Sequence, residues 1–346
     1  MPAALGEPAG RGPDTLGAGH VLGVDSGGSG LRIAVARADD AEARPLAVRA
    51  SDEPVRTGPA GIDAEHLLSQ LLPAAAKLAR ETGADGFAAV CVGAAGMATL
   101  GEELRARLPD ALATAFGVRR LALAADAVTA YAGALGQRPG AVIAAGTGMI
   151  ALGTDLTPAG GWRRADGWGH LLGDCGGGAW IGRTGLEAAL RAYDGRPGGS
   201  AALLARAEAV FGPVTGLPGA LYPRPDRPAV LASFAPEVAR CAAEDDTVAL
   251  GVLGAAAGHI ADAAAAVCPP GAGTTVACTG GLFHMGEPLL APLRTALAER
   301  LPDARTAAAA GSPLDGSLAI AAALAGDRLT LPTDRKLLQI TRLAPG

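Results

Sequence analysis

Twice in this chain an apolar run stops at a glycine-rich turn and then starts again. Val21 to Asp25 leads into Ser26, Gly27, Gly28, Ser29 and Gly30, after which Leu31 to Ala36 resumes; Ala141 to Ala145 leads into Gly146, Thr147 and Gly148, and Met149 to Gly153 follows. Each reads as two strands joined by a tight turn. Such turns offer backbone N–H groups where no side chain blocks an anion, so each can cradle phosphate oxygens. Asp25, at the end of its strand, stands where a carboxylate would hold Mg²⁺ directly or through its water shell. Taken alone the first turn is equally well an ordinary hairpin. A pair of them suggests a nucleotide's phosphates clamped between two lobes. With no GxxxxGK[ST] and no GxGxxG opening a helix, a P-loop and a dinucleotide-binding Rossmann site are both unsupported.

With 346 residues the chain suits two domains better than one core. The organisation expected is a flexible tail over 1–20, an N-terminal α/β lobe over 21–138 and a C-terminal α/β lobe with a helical insertion over 139–346. In the first lobe, Pro45 to Ser51 adds a third strand, Asp63 caps a helix from Ala64 to about Thr82 that ends at Gly83, and Phe87–Val92 and Arg120–Ala124 are buried strands around a helix over Glu102–Phe116. The second lobe is mainly helical after Gly173, with helices near 177–192, 200–210, 228–243 and 247–267 and a strand at Thr275–Thr279. Helices over about Pro288–Arg300 and Leu314–Ala325 close the chain, the last packing back on the first lobe. Alternating strands and helices make the class mixed α/β.

A formal net charge of −5 with no basic run argues against nucleic acid or an anionic membrane as partner. Cys91, Cys175, Cys241, Cys268 and Cys278 lack CxxC spacing, so neither a metal cluster nor a disulfide framework is expected. The glycine- and proline-rich beginning lacks the pattern of a secretory signal. Alanine-rich stretches such as Ala261–Val267 are short against the ~20 apolar residues of a membrane span. A cytoplasmic protein is the expectation.

Asp126 follows an apolar strand and opens the helix Ala127–Leu135, a position that suits a general base and equally a helix N-cap. The segment from Asp166 to Gly178, DGWGHLLGDCGGG, packs two acids, an indole and an imidazole among glycines. Trp168 can stack on the apolar face of a sugar, and His170 and Asp174 can bind hydroxyls or, for the acid, an ammonium. His170 and Trp168 each also admit a purely structural reading, and Asp166 is a second candidate for an ammonium.

In their order, VDSGGSG, AADAV, AAGTGM, GWGHLLGDCGGGAWIG and TGGL resemble the N-acetylglucosamine kinase and BadF/BadG-type ATPase family, and within it the actinobacterial glucosamine kinases, over residues from about 20 to 325. The resemblance implies an actin-like ATPase fold of two RNase H-like lobes with ATP and Mg²⁺ in a central cleft. It makes Asp126 the catalytic base. Asp25 (metal) with Gly27, Gly28, Ser29 and Gly30 matches the first phosphate motif, Gly146, Thr147 and Gly148 the second, and Gly280 and Gly281 the loop on adenosine. Gly96, Trp168, Gly169, His170 and Asp174 are the residues assigned to the sugar. Three positions depart from the pattern: Ser26 where Gly is usual, Ser29 where Thr is usual, and Cys175 where GDEG has Glu. The implied reaction is phosphorylation of C6 of glucosamine, with N-acetylglucosamine or another hexose as the alternative, in a homodimer by analogy. A zinc-dependent ROK protein would need clustered cysteines, and an iron–sulfur dehydratase activator a cluster pattern; neither is seen. A nonenzymatic ATP switch of the same fold is the competing class.

Overall fold

The computed structural model describes residues 19–343 apart from 28, 29, 54, 55, 59, 60 and 272. Nearly all of the expected tail over 1–20 lies outside the described residues. β1 (His20–Gly27) is buried from Val21 to Ser26, as an unbroken apolar strand covered on both faces should be. It pairs antiparallel with β2 (Gly30–Arg37), and β2 in the same way with β3 (Pro45–Ser51). Exposed and half-buried residues alternate along β3, which marks an outer strand. The short β4 (Thr57–Gly58) and β5 (Gly61–Ile62) lead into α1 (Ala64–Thr82), where Asp63 accepts a hydrogen bond from the His66 N–H at 2.9 Å and Gly83 ends the helix in the left-handed conformation at φ 68°. Leu67, Leu71 and Leu78 of α1 are buried at helical spacing, each gaining about 1.5–3 kcal/mol over exposure. β6 (Phe87–Ala94) runs parallel to β1; α2 (Met97–Leu100) and α3 (Glu102–Phe116) return the chain to β7 (Arg120–Ala125), parallel to β6, from which α4 (Asp126–Leu135) departs.

The chain then builds the same arrangement again. β8 (Gly140–Ala145), β9 (Met149–Thr154) and β10 (Arg163–Asp166) form an antiparallel meander. A helical run follows, α5 (Gly178–Tyr193), α6 (Ala201–Phe211), α7 (Leu217–Leu221), α8 (Arg227–Ser233), α9 (Ala235–Ala243) and α10 (Thr247–Val267). β11 (Thr275–Thr279) and, after α11 (Glu287–Arg300), β12 (Arg305–Ala308) line up parallel to β8. Among the described residues the second sheet reads β10-β9-β8-β11-β12 and the first β3-β2-β1-β6-β7, one order twice. α10 is the one helix among the described residues long and apolar enough to cross a membrane, and half of its most apolar window is buried. It packs against α9, α11 and β9 and fills the second core with Val252, Leu253 and Ile260.

Two closing elements return to the first sheet: α12 (Pro313–Ala325) lies against β1, β6 and α4, and β13 (Leu338–Arg342) pairs antiparallel with β7. The sequence reading, in which a helix closes the chain, missed β13, and it missed β10 and β12 as well. β10 is RRAD and β12 is RTAA, four-residue edge strands in which Thr306 is the one β-branched residue and none is aromatic, too little to mark a strand. The helix expected over 228–243 is broken at Phe234 into α8 and α9, because Pro236 in the first turn of α9 has no N–H to continue a helix.

α4 and α12 cross at backbone contact. A Cβ on Gly316 would stand 1.9 Å from the Thr129 carbonyl oxygen, and one on Gly133 would stand 2.0 Å from that of Ser312. Gly316→Ala is therefore expected to destabilise by about 1–3 kcal/mol, whereas Gly254→Ala, at an exposed point of α10 with open space around it, should stabilise by roughly 0.5–1 kcal/mol. Urea midpoints of the two variants and the parent check this, and equal midpoints would contradict the packing.

Candidate active site

The first sheet brings two carboxylates to one end. Asp25 on β1 stands opposite Gly93 of β6, and Gly93 opposite Ala124 of β7, so Asp25 and Asp126 emerge at the same end of the sheet from two strands with β6 between them. Asp25 is buried and paired with Arg32 Nη1 at 3.4 Å. Burial pushes its carboxyl above the usual range, against the pull of the Arg32 charge. Ser26 is fully buried with its hydroxyl unpartnered, beside a cavity of about 10 Å³ lined also by Glu53, His66 and Gln70, the size of one water. Gly27 has open space around it, whereas a Cβ on Gly30, at φ 116°, would meet the Ser51 carbonyl at 2.0 Å. Gly28 and Ser29 lie outside the described residues.

Asp126 is the first residue of α4 rather than its cap, which is Ala125. The expected N-cap role is therefore not realised; the Asp126 Oδ1 accepts the N–H of the next residue, Ala127, at 2.9 Å. Burial pushes its pKa up to about 6; the Ala127 hydrogen bond opposes this, the charge of Asp25 adds to it, and the charge of Arg164 works against it. Gly96, which follows β6 at φ 80°, is the N-cap of α2 and has Ile62 and Leu100 as its nearest side chains.

The second turn is tied to α5. The carbonyls of Gly146 and Thr147 accept the N–H groups of Gly178 and Ala179, each at 2.8 Å, and Gly146 N–H bonds the Gly148 carbonyl at 2.9 Å. Thr147 and Gly146 are exposed at the tip. Gly280, at φ 107°, lies so close that a Cβ would stand 2.2 Å from the Ala145 carbonyl oxygen, which sets the Gly280–Gly281 bend beside this turn. Asp174 touches the turn from the other side: a Cβ on Gly148 would be 2.4 Å from its Oδ2. Its Oδ1 accepts the Gly169 N–H at 3.0 Å, and burial raises its pKa.

The segment 166–175 is a closed loop. Asp166, expected as a second partner for an ammonium, instead accepts the N–H groups of Asp174 at 2.6 Å and Cys175 at 2.9 Å on its two carboxylate oxygens, clasping the loop's ends together. Asp166 and Asp174 are both left-handed, at φ 60° and 54°, a conformation Asp tolerates better than most residues. Trp168 is 65% exposed, while the His170 Nε2 is buried without a hydrogen bond. The Cys175 thiol is half-buried and pushed up by burial. Arg164, overlooked in the sequence, sits with its guanidinium 4.5 Å from the Trp168 ring centroid, and its charge lowers the pKa of both Asp126 and Asp174. The pattern of β10, Arg163 exposed and Arg164 half-buried, would have pointed to it had that strand been recognised.

Among known proteins, residues 22–324 match the BadF/BadG/BcrA/BcrD ATPase family. Over 184 residues, 51% of this chain, the sequence is 28% identical to an N-acetylmuramic acid/N-acetylglucosamine kinase of Clostridium acetobutylicum, and the match spans 55% of that protein, about half its length. A solved structure from Chromobacterium violaceum, provisionally described as an N-acetylglucosamine kinase, superposes with a TM-score of 0.62 at 28% identity over 86% of this chain and 97% of that one. A ROK family glucokinase from Streptomyces griseus, in complex with glucose and AMPPNP, gives 0.52 at 19% identity over 87% and 97%, a likeness of fold alone. The twice-repeated strand order and these neighbours make the fold that of the actin-like ATPases.

Removing the clasp tests the loop. Asp166→Ala loses two hydrogen bonds to the carboxylate and, with them, the local side-chain bonding that lets Asp tolerate a left-handed position, which should cost about 2–4 kcal/mol in urea unfolding. Asp166→Asn, keeping one acceptor and tolerating that φ, should recover part of it.

Proposed function

This chain belongs to the BadF/BadG/BcrA/BcrD ATPase family, and from that premise we propose that it transfers the γ-phosphoryl group of ATP to the C6 hydroxyl of an amino sugar, with glucosamine as acceptor. The observation that carries the reading is Asp126, a carboxylate set by burial to a pKa of about 6 at the end of a central strand, within reach of the charges of Asp25 and Arg164. A base poised close to neutral pH can take the proton of a hydroxyl as it attacks. Oδ1 of Asp126 is held by the Ala127 N–H, which fixes the side chain and leaves Oδ2 for the acceptor.

The two glycine turns then serve the phosphates. Gly27 and Gly30 on one side and Gly146, Thr147 and Gly148 on the other present backbone to the nucleotide, and Gly280–Gly281 borders the space for adenosine. No group of three or more His, Cys, Asp or Glu able to hold a metal ion occurs among the described residues. Asp25, a buried carboxylate at the end of β1, fits an ion that takes its remaining ligands from phosphate and water, which is the habit of Mg²⁺. When bound, Mg²⁺ would offset the charge that develops on the phosphoryl oxygens. Arg32 keeps the Asp25 carboxyl lower than burial alone would set it.

On the acceptor side, Trp168, Gly169, His170 and Gly96 face the sugar in this reading, and Asp174 receives the ammonium at C2. Among the described residues the Asp174 carboxylate accepts one hydrogen bond, from the Gly169 N–H, so its acceptor capacity is far from filled. A second reading has support in the names of the Clostridium and Chromobacterium relatives, both of which act, by those names, on N-acetylated sugars. N-acetylglucosamine is then the acceptor and Asp174 meets hydroxyls. ADP release with Mg-ATP against glucosamine, N-acetylglucosamine, glucose and no sugar separates them. Turnover with glucosamine that Asp174→Ala weakens more than turnover with glucose supports the amine assignment; preference for N-acetylglucosamine overturns it and keeps the kinase; release of ADP indifferent to every sugar moves the protein to the ATP-switch class.

Asp126→Asn should lower turnover by about 10²–10⁴ while ATP still binds. In the parent, kcat/KM should fall as pH drops through about 6, where the base becomes protonated. The same group has a stability signature. Its folded pKa lies above the ordinary 3.8, so its burden on folding is absent below about pH 4, grows as pH rises towards 6 and is complete above that. Asp126→Asn should consequently melt above the parent at pH 7, and near-normal turnover in this variant would remove Asp126 from the mechanism.

A further inference from the structure

Arg164 is bound to the loop on three sides. Its Nε donates to the Asp166 carbonyl at 3.0 Å, its Nη2 donates to the Gly167 carbonyl at 2.5 Å, and its guanidinium carbon lies 4.5 Å from the centroid of the Trp168 ring. Asp166, Gly167 and Gly169 have φ of 60°, 73° and 86°, and this left-handed stretch turns the Asp166 and Gly167 carbonyls inward, where the fork of one arginine satisfies both. A planar guanidinium can make two such bonds and still lie flat on an indole; an ammonium cannot.

A tryptophan that is 65% exposed is ordinarily free to change rotamer. Here the guanidinium lies over the indole, and the next residue of the loop, Gly169, is tied by its N–H to Asp174. We propose that Arg164 is a positioning residue for the sugar: without touching the acceptor, it holds the Trp168 indole as a rigid stacking platform and so sets acceptor affinity. This rests on the reading that Trp168 faces the sugar. The same residue projects positive charge onto Asp126 and Asp174, so it links the platform to the two acids the reaction uses.

The test is a double-mutant cycle on the full chain, with Arg164→Met, Trp168→Phe and the pair, read as KM for sugar, KM for ATP and kcat, with sugar-induced tryptophan fluorescence as a readout independent of turnover. Each single variant should raise the KM for sugar by about tenfold, equivalent to about 1.4 kcal/mol, with KM for ATP within about twofold, and the pair should be no worse than either single variant because one acts through the other. Arg164→Lys should behave like Arg164→Met, since it keeps the charge but loses the fork. The fluorescence change should vanish in Trp168→Phe and shrink in Arg164→Met. Additive losses, full rescue by Arg164→Lys, or parallel rises in both KM values would overturn the proposal. If Arg164→Met fails to fold, Arg164→Lys and Arg164→Gln supply the same comparison. A rise in sugar KM for Trp168→Phe alone defeats the role of Arg164 and leaves the sugar-facing loop standing. No change in Trp168→Phe defeats the sugar-facing reading itself.

Discussion

The site depends on how closely backbones approach one another where side chains are missing. α12 lies against β1 because Gly23 has no Cβ to strike Ser317 and Leu318, and α4 lies against β6 because Gly93 has none to strike Thr129. Where the two helices meet, Gly316 faces the Thr129 carbonyl and the Gly133 amide. Asp25 is two residues beyond Gly23, and Asp126 is three residues before Thr129. The separation of the two acids is thus set by contacts that a single methyl group would push apart, in an interior where close packing passes strain on rather than absorbing it.

With the acids so placed, their electrostatics follow. Burial raises Asp25, Asp126 and Asp174 alike, and each is then moderated by a cation on the adjoining strand or loop, Arg32 for the first and Arg164 for the other two. Each arginine is itself only partly covered by protein. Acids enclosed and cations half in solvent make a site that is less acidic than its composition suggests, and one whose charge state responds to an incoming polyanion or its counterion.

Much of this was legible in the residues. Apolar runs interrupted by glycines located β1, β2, β8 and β9 and their turns, and Asp63 and Gly83 bounded α1 through cap chemistry that acts over a few residues. The identity of Asp126 and Asp174 as outstanding acids was also readable, since each stands alone in an apolar or glycine-rich context. What escaped reading depended on partners far away in sequence. β13 alternates Leu338 and Ile340 with polar residues over only five positions, and it pairs because β7 offers an edge more than 200 residues earlier in the chain. Asp166 resembled a ligand-binding acid and proved a clasp, because its oxygens are claimed by amides eight and nine residues on. Arg164 gained its place only once the loop beyond it had folded back over the strand.

The position of α12 and β13 has a consequence for how the molecule comes into being. The second sheet and its helices are built from one continuous stretch, whereas the first sheet, begun at β1, receives the helix beneath it and its last edge strand only from residues 313–342. On a ribosome, where domains form as their residues emerge, the lobe started first is therefore completed last. Its half-made sheet has the β7 edge bare and the Gly23–Gly93 surface uncovered until residues 313–342 have emerged.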